Sequence, residues 1–158
     1  MWLLISDTHD NMDKIKKIPD LIKNYSITKV FHCGDMVSPF TVKYFLNSGT
    51  EFYGIFGNND GEKIGLNKVS GNLIGYGPRV VETDGRKIFM MHEPYSLIAA
   101  ENSGMYDYVF FGHTHEKVNR KNNNTFVINP GEGCGWLTGK ATCAVINPFT
   151  EEVNIIEI

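Results

Sequence analysis

Apolar residues come in short runs along this chain, and most runs stop at an aspartate, an asparagine or a histidine. Trp2–Ile5 is the first such run and reads as a strand buried on both faces. Residues 11–25 then change period: Met12, Ile15, Ile18, Ile22 and Tyr25 recur at helical spacing and share one face. Pro19 lies inside that pattern, removes a backbone donor and crowds the preceding turn, so the helix should kink or split there. Lys29–His32 reads as a second strand. Ser38 and Pro39 read as an N-cap followed by proline at the first helical position. Phe40, Val42, Phe45 and Leu46 are the apolar residues of the helix they open, and Gly49 is its expected stop. Residues 51–56 form a third strand.

Beyond this point the pattern shifts from helices to hairpins. Residues 60–77 are glycine-rich and weakly periodic, with room for one short helix among loops. Arg79–Thr83 and residues 87–91 should pair about Asp84-Gly85, a strong turn signal. A helix is expected over 95–102, a strand over 108–111, a hairpin over 118–129 turning at 122–124, and closing strands over 141–146 and 153–158. A β-α-β-α-β start followed by hairpins predicts an α/β (α+β) fold: a two-sheet β-sandwich flanked by helices on both sides. No repeat or linker interrupts the 158 residues, so one domain over 1–158 is expected. The largest gap between the motifs described below, residues 60–92, must already hold two strands. No segment is therefore long enough for a cap, and an open site without a lid follows.

Composition adds exclusions. A formal charge of −3 gives no case for general nucleic-acid binding, and Lys14, Lys16 and Lys17 read as a solvated helix face. Cys33, Cys134 and Cys143 are odd in number and lack C-x-x-C spacing, which suits free thiols in a reducing cytoplasm. The first residues lack a basic region and read as a strand rather than a signal peptide. No apolar stretch approaches the roughly 18 residues that span a bilayer. A homo-oligomer is left open.

The chemistry lies where the runs stop. Asp-Thr-His at 7–9, Gly-Asp at 34–35, Gly-Asn-Asn-Asp at 57–60, His92 and Gly-His-Thr-His at 112–115 each follow an apolar run. Alone, each is weak: D-x-H is usually a solvated pair, G-N-N-D a loop, and a lone His a core residue. Together, Asp7, His9, Asp35, Asn58, His92, His113 and His115 offer a donor set for two divalent cations. Extended backbone would send Asp7 and His9, and likewise His113 and His115, to one side. Oxygen and imidazole donors suit first-row metals, manganese first, with nickel, iron, zinc or magnesium as alternatives. A carboxylate such as Asp35 can bridge two cations. His32, the fifth histidine, is assigned a structural or supporting role.

This motif series resembles that of the calcineurin-like metallophosphoesterases, from Asp7 to His115, and Asn-Pro-Gly-Glu at 129–132 is similar to the Asn-Pro-Gly-Ser of small members. The closest likeness is to the compact phosphodiesterase branch that also contains a retromer subunit of the same fold. The resemblance implies one metal on Asp7, His9, Asp35 and His115, and a second on Asp35, Asn58, His92 and His113. It implies hydrolysis of a small phosphodiester by in-line attack of a hydroxide bridging the two metals, with Asp35, Asn58 and Asn59 as catalytic residues. The alternatives are a non-catalytic or weakly active protein-binding scaffold of the same fold, or a phosphomonoesterase or nucleotidase. Two positions depart from the family pattern. Asn59 stands where many members carry a proton-donating histidine, and His92 is followed by Glu93-Pro94-Tyr95 rather than glycine.

Overall fold

In the computed structural model, which describes residues 1–46 and 49–158, strand β1 (Trp2–Ile5) sorts its side chains by parity. Trp2 and Leu4 point one way, Leu3 and Ile5 the other, and all four are fully buried. The chain continues through α1 (Met12–Ile15), α2 (Ile18–Asn24), β2 (Lys29–His32), a 3-10 turn (Pro39–Thr41), α3 (Lys43–Leu46) and β3 (Glu51–Ile55). Next come α4 (Lys63–Val69), β4 (Ile74–Gly75), β5 (Arg79–Thr83), β6 (Arg86–Met90), a second 3-10 turn (Pro94–Ser96) and α5 (Leu97–Asn102). The chain closes with β7 (Tyr108–Phe110), β8 (Lys117–Asn122), β9 (Thr125–Pro130), β10 (Thr142–Asn147) and β11 (Glu152–Glu157).

Two sheets result, ordered β11-β10-β1-β2-β3-β4 and β5-β6-β7-β9-β8. Trp2, Leu4, Phe31 and Ile55 of the first pack against Ile88, Met90, Tyr108, Phe110 and Ile128 of the second. Leu3, Ile5 and Val30 face outward onto Ile15, Ile18 and Ile22 of α1 and α2, Phe45 of α3 and Leu66 of α4. On the far side, Val109, Phe111 and Val127 pack with Ala100 of α5. The predicted two-sheet sandwich flanked by helices on both sides is therefore the observed one. Truncating a fully buried side chain such as Leu4 to alanine should cost about 2–5 kcal/mol. Trp2 also ties the layers together, its Nε1–H donating to Asp84 Oδ2 at 2.8 Å in the turn between β5 and β6.

The elements depart from the sequence reading in detail. The helix over 11–25 does split: α1 ends at Ile15, α2 starts at Ile18, and Pro19 falls in the first turn, where its missing N–H is harmless. Tyr25, expected on the buried face, is 41% exposed. Ser38 is extended but caps nothing: its hydroxyl donates to Asp10, and the segment opens as a 3-10 turn. Residues 47–48, before the expected stop at Gly49, lie outside the described residues. Two-residue β4 is too short to leave a period and was not expected. At the β5–β6 turn, Asp84 and Gly85 have φ of 50° and 71°, the left-handed pair that the Asp-Gly signal predicts. Residues 60–92 hold α4, β4, β5 and β6 and no cap. All three cysteines are free and buried, and no described helix is long and apolar enough to cross a membrane.

Candidate metal centre

The seven candidate ligands sit just past the carboxyl ends of parallel strands. Asp7 and His9 follow β1, Asp35 follows β2 and Asn58 follows β3, all parallel neighbours in the first sheet. His92 follows β6, and His113 and His115 follow β7, parallel neighbours in the second. The ligands converge there because loops at that edge meet across the sandwich. Strand alternation is not what pairs them, contrary to the expectation from extended backbone. Asp7, His9, Asp35, His113 and His115 have φ of 53°, 40°, 58°, 67° and 59°, a left-handed region that costs a non-glycine residue about 1 kcal/mol or more. Backbone bonds hold them there: Asp7 N–H donates to Gly34 O, His9 N–H to Asp35 O and Cys134 N–H to Asp7 O, each at 3.0 Å.

The side chains form two groups sharing one oxygen. Asp35 Oδ2 lies 3.5 Å from His9 Nε2 and 3.5 Å from His92 Nε2. On one side, Asp7 Oδ1 lies 3.4 Å from His115 Nε2 and 4.0 Å from His9 Nε2. On the other, Asn58 Oδ1 lies 2.8 Å from His92 Nε2 and 2.9 Å from His113 Nδ1. His92 Nδ1–H donates to Cys33 O at 2.7 Å, so in neutral His92 the Nε2 lone pair points at Asn58 Oδ1. Converging lone pairs require a cation or a proton between them. Burial disfavours that proton, yet the adjacent Asp35 carboxylate outweighs burial and holds His92 above its ordinary pKa.

The donor set fits a divalent cation on a further count. Asp7 Oδ1 is buried and has no hydrogen-bond partner among the described residues, a costly state that metal coordination would relieve. Burial pushes the Asp7 carboxyl above the usual range. Asp35 behaves oppositely: burial works against its charge, but His92 and Asn59 overcome it and keep the carboxyl below that range. Four imidazoles, two carboxylates and an amide oxygen suit first-row metals.

Several residues support the candidate ligands through contacts that the sequence does not show. Asp60 accepts from Asp35 N–H at 2.9 Å, Gly57 N–H at 2.7 Å and Val37 N–H at 2.7 Å, clamping two ligand loops together. Asp10 accepts from Ser38 N–H at 3.0 Å. Asn129 donates to Gly112 O at 3.1 Å and to Thr114 Oγ1 at 3.0 Å, fixing the Gly-His-Thr-His loop. Asn59 is turned toward Asp35, donating its backbone N–H to Oδ1 at 2.8 Å and its amide to Oδ2 at 2.7 Å. Gly57 is required by space: a Cβ there would stand 2.2 Å from Asp35 Oδ1. His32 contacts no ligand side chain: its ring accepts Gly34 N–H at 3.2 Å and meets Thr8 Oγ1 at 3.2 Å, and burial pushes its pKa down to about 3. His115, Glu132 and Cys134 also cluster. Burial pushes the Cys134 thiol up to about 12, and the thiol donates to Glu132 Oε2 at 3.2 Å.

A hollow of about 250 Å³ opens beside Asn58 and His92, lined also by Phe56, Lys63, Tyr76 and Tyr95. On the opposite rim, the Trp136 ring lies 6.1 Å from that of His9. Asn58, Asn59 and His113 are exposed, so the centre faces solvent.

With this geometry in place, comparison with known proteins is informative. The calcineurin-like phosphoesterase superfamily domain matches residues 1–151, and the chain belongs to that family. It is 37% identical over 155 residues to phosphodiesterase MJ0936 of Methanocaldococcus jannaschii, covering 94% of this chain and 93% of that protein. A solved archaeal phosphodiesterase superposes with a TM-score of 0.92 at 36% identity, covering 99% of both chains. Vacuolar protein sorting 29 of Cryptosporidium parvum, at 20% identity and a TM-score of 0.66, covers 99% of this chain and 95% of its own and shares the fold alone. The chain is thus a phosphoesterase of a fold that implies divalent metal ions.

Proposed function

We propose that the whole chain, residues 1–158, works as one domain and hydrolyses phosphodiesters with two divalent cations, manganese being the first choice. One cation would be held by Asp7, His9, Asp35 and His115, the other by Asp35, Asn58, His92 and His113. The observation that carries this reading is the shared oxygen: Asp35 Oδ2 is equidistant, at 3.5 Å, from a histidine of each group. When bound, such a pair supplies a hydroxide nucleophile at neutral pH and a positive clamp for the phosphoryl oxygens.

The chain's own residues do the rest. Asn59 donates twice to Asp35 and fixes the plane of its carboxylate. The carbonyl of Cys33 holds the proton of His92 on Nδ1 and leaves Nε2 free. The hollow bounded by Phe56, Lys63, Tyr76 and Tyr95 receives one ester arm of the substrate. With its amide bonded to Asp35, Asn59 leaves the departing oxygen without an imidazolium donor. This favours diesters with good leaving groups. The 37% identical relative named a phosphodiesterase supports the same substrate class. The three buried free thiols suit the cytoplasm.

The test is metal analysis and calorimetric titration of chelator-stripped protein, with hydrolysis of an aryl phosphodiester followed in parallel. Saturation at two equivalents, with activity rising in step, is expected. Saturation at one equivalent would overturn the two-cation assignment.

A further inference from the structure

Asn-Pro-Gly-Glu at 129–132 puts a carboxylate directly behind one ligand of the centre. Glu132 is fully buried, a costly place for a charge unless it is well paired. Its Oε2 lies 2.8 Å from His115 Nδ1. Thr138 donates N–H and Oγ1–H to Oε1 at 2.5 and 2.6 Å, and Leu137 N–H reaches both oxygens at 3.0 and 3.1 Å. Cys134 Sγ–H completes the set at 3.2 Å.

The other nitrogen of that imidazole is the informative one. His115 Nε2 lies 3.4 Å from Asp7 Oδ1, the buried oxygen that lacks a hydrogen-bond partner. A proton fixed on Nδ1 leaves Nε2 as the lone-pair atom and aims it at the point where Asp7 and His9 converge. His92 achieves the same orientation with a neutral partner, the Cys33 carbonyl at 2.7 Å. The two halves of the centre therefore differ in the charge behind their histidine, and a carboxylate makes the ring a stronger donor.

We propose that Glu132 is the positioning residue of the Asp7–His9–His115 half: it fixes the tautomer of His115 and strengthens cation binding there. This rests on the metal reading above. The competing role is a loop staple, in which Glu132 merely gathers the donors of Leu137 and Thr138.

Manganese titrations of metal-stripped wild type, Glu132→Gln and Thr138→Val separate these roles. Glu132→Gln should weaken one class of site by about 10- to 100-fold and leave the other unchanged. Thr138→Val removes a staple but leaves the carboxylate on His115, and should bind manganese as wild type does. Unchanged affinity in Glu132→Gln, or an equal loss in Thr138→Val, overturns the proposal and leaves the metal reading standing. Wild type that binds no manganese overturns both. Should Glu132→Gln fail to fold, nitrogen NMR of zinc-loaded wild type decides, with His115→Asn supplying the assignment. A His115 proton on Nδ1 is expected; one on Nε2 overturns the proposal.

Discussion

His32 ends β2, Asp35 follows three residues on, and the two meet opposite demands. Asp35 keeps its charge despite burial because His92 and the two Asn59 donors favour its ionised form, and its Oδ2 faces both ligand groups. Asp35→Asn should lower metal-saturated turnover by more than about 100-fold and weaken cation uptake, since it removes charge from both groups at once. His32 is neutral and buried, and among the described residues its hydrogen bonds are to Gly34 and Thr8, so His32→Gln should cost stability, about 1–3 kcal/mol, rather than turnover. Equal losses of metal content in both variants would contradict this division of roles. The pH dependence has a definite sign. Burial lowers His32 from 6.5 to about 3, so as pH falls through 6.5 the unfolded chain takes up this proton and the folded chain does not. Stability is lost progressively across that window, and His32→Gln should flatten the decline. Urea midpoints of metal-free protein between about pH 7 and 4 provide the check; parallel profiles would mean that His32 is charged in the fold.

At the level of elements, the loops that carry the ligands are shaped by what stands opposite them. A Cβ on Gly57 would fall 2.2 Å from Asp35 Oδ1 and 2.5 Å from Asp35 N, whereas one on Gly61 meets nothing within 4 Å. Gly57→Ala should therefore cost about 1–3 kcal/mol of stability and most of the cation affinity. Gly61→Ala, in the same loop, should change stability by less than about 0.5 kcal/mol. Thermal denaturation and manganese titration of the two variants test this; a Gly57→Ala protein indistinguishable from Gly61→Ala would show that the loop yields freely. These contacts also mark where sequence reading stops. The candidate ligands could be picked from the sequence because aspartate and histidine after apolar runs carry coordination chemistry by type, and the fold brings their side chains together. Asp60 and Glu132 fall inside motifs, but what they do was not legible, because an acid in a loop shows no role until the donors it accepts from are known. Strands β1 and β2 were legible as buried runs, while β4, two residues long, left no period. The extended-strand rationale for Asp7 with His9 does not hold, since both adopt left-handed backbone, although Asp7 Oδ1 and His9 Nε2 still approach to 4.0 Å.

Across the whole molecule, the centre belongs to neither sheet alone. Asp7, His9, Asp35 and Asn58 come from the loops of the first sheet, and His92, His113 and His115 from those of the second. The sandwich core of Trp2, Phe31, Tyr108 and Phe110 thus sets the distance between the two groups. The order of motifs could suggest a candidate set but not the shared oxygen, which depends on how the sheets pack. The same scale decides the chemistry of departure. Among the described residues none caps 57–60, Asn59 is exposed, and its amide is bonded to Asp35, so this loop offers no imidazole to a departing oxygen. A positioned acid is typically worth about 10²–10⁴-fold for an alkoxide and little for an aryl oxide that departs as an anion. Rates across substituted aryl and alkyl phosphodiesters at saturating metal should therefore fall steeply as leaving-group pKa rises. Asn59→His would supply an imidazole but lose the amide that steadies Asp35 Oδ2, so a gain confined to alkyl substrates should come with weaker cation binding. A flat dependence in wild type, with chemistry rate-limiting, would require another acid. Glu93 is then the residue to substitute, because it borders the hollow beside His92 and accepts from Tyr95 Oη–H at 2.8 Å, a bond that holds its carboxyl at the rim of the site.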